Sequence, residues 1–230
     1  NFEIKWPNDI YLDGVKMGGI LIENNIQAGK WSFSIVGIGL NINQIQFENI
    51  RGTSLRSYLD LQKAIPLTEI YHYLSMGIEE AYIQFTSEAF HKIDEIYHEK
   101  LLRRAQWALY ESGGEKFEGK IIGVNEQGLL EIEKELQAGE SFRVDTGCIV
   151  GFTGSVDYDI QFVKGVKNAI FGGEGLFFAV LTGPGKVWMQ SLPVSRLASR
   201  ILSYAQPGGN RKGEGSILGG IGNLLDGDGY

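Results

Sequence analysis

Apolar and polar positions change period twice along the chain. Between Asn1 and Asn43 the pattern is strand-like, and predicts strands at Phe2 to Lys5, Val15 to Glu23 and Trp31 to Asn43, with Asp13-Gly14 as a turn. The last run is the most apolar: Ser34-Ile35-Val36-Gly37-Ile38-Gly39-Leu40 shows little polar alternation, which predicts a strand buried on both faces. From Leu55 to Ala105 the spacing becomes helical, with Leu55, Tyr58 and Leu59 on one face and Ile70, Tyr73, Leu74, Gly77, Ile78 and Ala81 on another. Pro66 separates these two helices, Thr68-Glu69 suits a helix start, and a further helix is expected to carry Phe90, Ile93, Ile96, Tyr97 and Leu101 inward.

Strand patterning then returns. Phe117 to Val124, the turn Asn125-Glu126-Gln127-Gly128, and Leu129 to Lys134 read as a β-hairpin. After Gly139 the predicted strands are Ser141 to Val144, Cys148 to Phe152, Val156 to Phe162, Ala169 to Phe171, Leu176 to Thr182 and Lys186 to Gln190, a spacing that suits a sandwich or barrel. From Pro207 onward small and polar residues dominate and predict a flexible tail.

Composition narrows the function classes. A chain of 230 residues with 43% hydrophobic and 21% charged positions is ordinary globular material, most simply two domains. A formal net charge of -7 argues against nucleic acid as a partner, because such binding rests on clustered Lys and Arg. The single Cys148 and the lack of any zinc spacing suit a reducing compartment, with the cytoplasm as default. No apolar run approaches the roughly 20 residues of a membrane span, so no membrane is expected. Asn1 stands where a Met would open a complete reading frame and leads straight into a strand, so a fragment beginning inside a domain is expected.

The densest chemistry lies in Lys5-Trp6-Pro7-Asn8-Asp9, where a cation, an aromatic ring, a rigid turn residue and two polar acceptors meet at a strand end. Alone, this is compatible with a plain Pro-Asn turn. It is followed by Lys16-Met17-Gly18-Gly19-Ile20-Leu21-Ile22-Glu23 and by Gly37-Ile38-Gly39-Leu40-Asn41-Ile42-Asn43. These three motifs in this order resemble the signature of biotin protein ligases, and the segment Gly113 to Lys134 resembles the start of the small SH3-like domain of that family. The resemblance implies biotin and ATP as substrates, Mg2+ with the nucleotide, and biotin carboxyl carrier protein as partner. It implies Lys5 as the catalytic cation between the biotin carboxylate and the adenylate phosphate, with Gly18, Gly19, Ile20, Gly37 and Gly39 around biotin, and Asn8, Asp9 and Asn41 toward the nucleotide. Joining a carboxylate to the α-phosphate of ATP brings two anions together, and a strand-borne Lys answers that repulsion. Glycines let the backbone approach a flat ligand, and the strand around Ile20 offers an apolar wall and amide hydrogen bonds. Gly37 and Gly39 also suit close strand packing, and Asn41 and Asn43 a simple strand end. The Gly-Arg-rich loop that precedes the Lys-Trp-Pro-Asn-Asp motif in that family is not among these residues. Autonomous ligase activity is therefore in question, and the partial sheet is expected to expose an edge and an apolar face.

The runs Arg143 to Val150, Phe171 to Phe177 and Leu181 to Ser191 are similar instead to the C-terminal part of the altered inheritance of mitochondria protein 24 family, which implies a TRAP-like β fold. The expected architecture is α+β. It comprises a partial class II synthetase-like mixed sheet with helices over residues 1–104, a truncated SH3-like hairpin over 105–136, an all-β TRAP-like segment over 137–206 and a Gly-rich tail over 207–230. Within the second half Cys148 reads as a buried structural thiol in a strand, and Asp145 with Glu174 as turn acids in preference to an acid–base pair. Gly172 to Gly175 and Gly183-Pro184-Gly185 read as hairpin turns. The alternative to ligase chemistry is a non-enzymatic β-rich module that forms a homo-oligomer, with Phe177, Phe178, Trp188 and Met189 as candidate contact surface or, equally, core. A third outcome is that neither half folds well.

Overall fold

The computed structural model describes residues 1–27, 30–47, 51–112, 115–162 and 177–191. Residues 1–193 form one compact unit; residues 194–230, a second unit, lie outside the described residues, as do the expected strand at Ala169, the glycine turn at 172–175 with Glu174, and the expected flexible tail. The described chain is mostly β-sheet with few helices.

The first sheet is an antiparallel ribbon of β1 (Phe2–Lys5), β2 (Asp9–Leu12), β3 (Val15–Gln27) and β4 (Lys30–Leu40), hydrogen-bonded in that order. Asp13 at φ 46° and Gly14 at φ 74° form the two-residue turn between β2 and β3. Positive φ at both central residues matches the twist of the flanking strands, and Asp-Gly tolerates it. The strand β2 was not expected as a separate element, because Pro7-Asn8-Asp9 and Asp13-Gly14 surround it with turn residues on both sides.

The expected burial of β4 on both faces is wrong: Ile35 is 58% and Val36 54% exposed. β4 lies at the edge of its sheet. Its apolar run records a preference for cover that no described element supplies, in keeping with the expectation of an exposed edge and apolar face.

Helix α1 (Leu55–Tyr58) starts at Ser54, whose fully buried hydroxyl accepts the Ser57 amide at 3.1 Å and donates to the Gln44 carbonyl. Helix α2 (Leu67–Thr86) begins one residue before the expected Thr68 and buries none of its residues; Tyr73 and Ile78 are both exposed. Of the face expected inward on α3 (Phe90–Lys100), Tyr97 packs against buried Leu101 beyond the helix end, whereas Phe90 and Ile96 are exposed. Helical period located these segments but did not show which positions find cover: Phe85 of α2 meets Trp31 of β4 with ring centres 5.8 Å apart, while Tyr73 and Ile78 stay exposed.

The remaining strands are β5 (Trp107–Ser112), β6 (Glu115–Val124), β7 (Leu130–Leu136), β8 (Ser141–Asp145), β9 (Ile149–Phe152), β10 (Asp157–Phe162), β11 (Phe177–Thr182) and β12 (Gly185–Gln190). They form a five-stranded sheet, β5-β6-β7-β12-β9, and a three-stranded sheet, β10-β11-β8. The expected hairpin at residues 117–134 is present as β6 and β7, with Gly128 at φ 78° in its turn, but β5 escaped the sequence pattern. Gly183-Pro184-Gly185 is not a hairpin turn, because β11 and β12 belong to different sheets and the chain crosses from one to the other there. Gly183 lies so close to the Leu136 and Gln137 backbone that a side chain would not fit. Leu136, Val187 and Met189 from the larger sheet pack with Leu181 from the smaller and with Val156. Met189 is thus core and unavailable as contact surface, and Cys148 sits half-buried in a 3-10 turn (Thr146–Cys148) instead of buried in a strand.

A polar row crosses the outer face of the five-stranded sheet. Trp107, Lys120, Glu133 and Trp188 are successive cross-strand partners. The Lys120 ammonium lies 5.1 Å from the Trp107 ring centre and 2.9 Å from the Glu133 carboxylate, which also accepts from Lys186 at 3.3 Å and from the Trp188 indole at 3.1 Å. The hydrogen bond from Lys120, seconded by Lys186 and Trp188, holds the Glu133 carboxyl below its ordinary 4.5 against the opposing effect of burial. Glu140 is lowered likewise, by Lys134 first and then by the Gln137 amide.

Two outcomes follow from this packing. A carboxyl with a depressed folded-state pKa stabilises above its unfolded value, and that contribution disappears as pH falls through the folded one. Glu133→Gln should therefore lower unfolding free energy at pH 7 by about 2 kcal/mol, and the gap from the unsubstituted chain should narrow below about pH 4; denaturant unfolding across pH measures both. Ile35→Lys, at a side chain 58% exposed, should change stability by less than about 0.5 kcal/mol while reducing aggregation, read by light scattering.

Candidate active site

The register of the first sheet gathers the three motifs. Lys5 pairs with Asp9, Asp9 with Gly19, and Gly19 with Gly39, so the four form one row across β1, β2, β3 and β4. Successive partners across a sheet share a face. The row therefore presents a cation, a carboxylate and then two bare stretches of backbone on one surface. Lys5 is exposed, with its ammonium 5.6 Å from the centre of the Tyr11 ring. The next pairs along β3 and β4, Leu21 with Gly37 and Glu23 with Ile35, continue the same face, where Leu21 and Ile35 are exposed.

The glycines are not equivalent. A methyl group at Gly18 would collide with the Gly39 carbonyl and approach the Leu40 side chain to 2.9 Å, so Gly18 is required by the closeness of β3 and β4. At Gly19 the nearest atoms would be the Asn8 carbonyl at 3.3 Å and the Asp9 carboxylate at 3.4 Å. At Gly37 and Gly39 the nearest backbone would lie 3.7 and 3.9 Å away, ordinary contact distances. Close strand packing therefore does not explain Gly37 and Gly39; their missing side chains leave the surface open instead.

Other expected site residues lie around this row. The Asn8 carbonyl accepts the Ile20 amide at 2.8 Å, fixing the Lys5–Asp9 turn against β3 and occupying that Ile20 N–H. By alternation Ile20 faces away from Lys5, on the opposite side of the sheet with Gly18 and Leu40. Asn41 is held by its backbone, donating to Met17 at 2.8 Å and accepting from Leu55 at 3.0 Å. Asn43 is a structural residue: its side-chain amide makes a two-way bond with Ile65, at 2.9 and 2.7 Å.

Lys16 was quoted in a motif but not singled out. Its ammonium lies 2.8 Å from the Asp9 carboxylate, beside the row. Its position two residues before the Gly18-Gly19 pair was the available signal. Among the described residues no group of three or more His, Cys, Asp or Glu side chains is placed to hold a metal ion, and no helix is long and apolar enough to cross a membrane. Asp9 is the single carboxylate of the row, and one of its oxygens is taken by Lys16.

Comparison with known proteins divides the chain. Residues 1–42 match the family model for the biotin/lipoate A/B protein ligase family, and residues 118–192 match that for mitochondrial biogenesis AIM24. The chain is 31% identical over 120 residues to biotin–protein ligase 2 of Arabidopsis thaliana, covering 52% of this chain and 35% of that protein. It is 27% identical over 137 residues to the bifunctional ligase/repressor BirA of Bacillus subtilis, covering 57% and 41%. Among solved structures, the biotin protein ligase of Aquifex aeolicus in complex with biotin and ATP aligns at 28% identity and a TM-score of 0.45, over 57% of this chain and 54% of that one. The chain thus resembles a piece of a biotin protein ligase joined to an AIM24-like segment, and spans between about a third and two fifths of the curated relatives it matches.

The contrast among the glycines is testable by stability alone. Gly18→Ala should cost about 1–3 kcal/mol as β3 and β4 are forced apart, whereas Gly39→Ala should change stability by less than about 0.5 kcal/mol; urea unfolding of the two variants separates them.

Proposed function

We propose that the Lys5–Asp9–Gly19–Gly39 row is the adenylate-binding part of a biotin protein ligase site, which joins biotin to AMP and passes biotin to a lysine of biotin carboxyl carrier protein. The observation that supports this reading most is the register, which brings residues from all three ligase-like motifs onto one face. In the first half-reaction a biotin carboxylate oxygen bonds to the α-phosphorus of ATP and pyrophosphate leaves. In the second the carrier lysine amine attacks the biotinyl carbonyl, AMP leaves and the amine loses a proton.

Each residue of the row has a part in this reading. Lys5 lies where the carboxylate and α-phosphate converge and offsets the charge of both. Gly19 and Gly39 give a flat floor that admits the ligand against backbone, and Leu21 extends it as an apolar wall toward Gly37. Lys16 holds Asp9 at 2.8 Å and so fixes the carboxylate nearest the nucleotide and its Mg2+. Asn8, bonded to Ile20, and Asn41, bonded to Met17, lie on either side of Gly19 and toward the nucleotide in this reading. Ile20 contributes as the strand behind the floor. A cytoplasmic setting, where ATP and carrier protein meet, belongs to the same reading.

The finer architecture is also a proposal. Residues 1–104 represent part of the synthetase-like catalytic sheet, residues 105–136 the opening of the SH3-like domain, and residues 137–206 a TRAP-like continuation. The AIM24 match over residues 118–192 accompanies a second reading, in which that region is a β-rich module that self-associates. In that role Phe178 is the weaker candidate contact, since its ring already lies 4.1 Å from the Arg143 guanidinium.

Isothermal titration with biotinol-adenylate, a non-hydrolysable mimic of the intermediate, tests the ligase reading. Saturable binding is expected, weakened by roughly ten- to a hundredfold in Lys5→Ala, the range for a hydrogen bond to a charged group. A folded chain that does not bind, or binds equally well without Lys5, overturns it. A defined oligomer in light scattering that is indifferent to the ligand would favour the second role.

A further inference from the structure

The candidate site and the five-stranded sheet meet at Trp6. Its indole N–H donates to the Gly128 carbonyl at 2.9 Å, a partner 122 positions away. Its ring packs against the buried cluster of Leu101, Ile121 and Leu130. Gly128 closes the β6–β7 turn, which is braced from within: the Asn125 side-chain oxygen accepts the amides of Gln127 at 3.1 Å and Leu129 at 3.0 Å, and the Gly128 amide donates to the Asn125 carbonyl at 2.8 Å. The acceptor for Trp6 is therefore a fixed point. A short strap runs alongside, with the Leu102 amide bonded to the Ile4 carbonyl at 2.8 Å and the Ala105 amide to the Ile121 carbonyl at 2.9 Å.

On the other side, Trp6 stands between the two working ends of the turn. It follows Lys5 directly and precedes Pro7 and Asn8, whose carbonyl holds the Ile20 amide. Lys5 and Pro7 are both exposed, so neither side chain packs the turn in place. We propose that Trp6 is a positioning residue: the β6–β7 turn, acting through the indole N–H, fixes the Lys5–Asp9 turn in the shape that an adenylate meets. A pre-set turn spares the ligand the cost of ordering it. The proposal rests on the adenylate reading above for its ligand, but the tether itself is a property of the free chain.

A purely structural Trp6 would matter through its ring; a positioning one matters through its donor as well. Trp6→Phe in the full chain keeps an aromatic ring against Leu101 and removes the N–H. Three readings are taken: hydrogen exchange of the Ile20 amide without ligand, titration with biotinol-adenylate, and the backbone amide NMR shifts of Gln127 and Leu129 on adding it. Expected are about fivefold faster exchange at Ile20, about fivefold weaker binding, and ligand-induced shifts at Gln127 and Leu129 in the unsubstituted chain that vanish in Trp6→Phe. Asn125→Ala, which loosens the turn while leaving Trp6 intact, should act in the same direction and serves should Trp6→Phe unfold. Unchanged exchange and affinity in both variants would overturn the tether. If the unsubstituted chain does not bind biotinol-adenylate, the adenylate reading and the positioning role fall together, while Ile20 exchange still decides whether the tether exists.

Discussion

The two-residue turn at Asp13-Gly14 sets which residues of β2 and β3 face each other, and the chemistry of the first sheet depends on that choice. With both turn residues at positive φ, Leu12 meets Val15, and after one bulge Asp9 falls opposite Gly19. Side chains alternate every residue, so a slip of one position would carry Gly19 to the face opposite Lys5. In the register present, Lys5, Asp9, Gly19 and Gly39 lie in line across four strands. At the usual strand separation that line is about 14 Å long. Gly18 protects it from below, since any larger residue there would push β3 away from β4.

Burial is distributed unevenly around this row. The deepest cluster, Leu136, Val156, Leu181, Val187 and Met189, belongs entirely to residues after 129. The first sheet contributes few buried residues, notably Leu12 and Met17, while Leu21, Ile22, Phe33, Ile35 and Val36 stay exposed. Its firmest anchorage lies at the β1 end, where Ile4 bridges to Leu101 and Trp6 enters the second cluster. The charged end of the row is therefore the supported end. The open apolar face lies toward β4, which has a neighbour on one side only.

Period and turn chemistry made most elements legible: the strands around Gly18 and Gly39 and both long helices were visible because each runs for several residues, and the β6–β7 hairpin because Asn125 and Gly128 mark its turn. β2 and β5 were not, the first because turn residues crowd it on both sides and the second because Trp107-Ala108-Leu109-Tyr110 follows closely on the apolar pattern of the preceding helix. Sheet partnership was illegible throughout. Gly183-Pro184-Gly185 has the composition of a hairpin turn, and only its long-range contact with the Leu136 backbone shows it as a crossing between sheets. For the site, the sequence reading attached close strand packing to Gly37 and Gly39, whereas Gly18 is the glycine the strands need and those two leave open surface. The β4 run shows the general reason: an apolar sequence states what a strand can bury, and whether cover exists is a fact about other residues.

The AIM24-like match begins at residue 118, inside the hairpin also read as ligase-like, and the strands on either side of residue 137 depend on each other. β7 comes before it and β12 well after, yet the two pair along six residues, from Leu136 opposite Gly185 to Glu131 opposite Gln190. Leu136 is 1% exposed because Val187 and Leu181 close over it. Glu133 is held by Lys120 from the earlier side and by Lys186 and Trp188 from the later one. Removing the later strands would open the core around Leu136 and take two of the three donors from a buried carboxylate, a combination that costs more than either loss alone because the same strand carries both. β7 in turn ends the hairpin whose Gly128 carbonyl receives Trp6. Support for the candidate site thus runs from the Trp6 indole through the β6–β7 turn into a sheet completed by strands within the AIM24-like match.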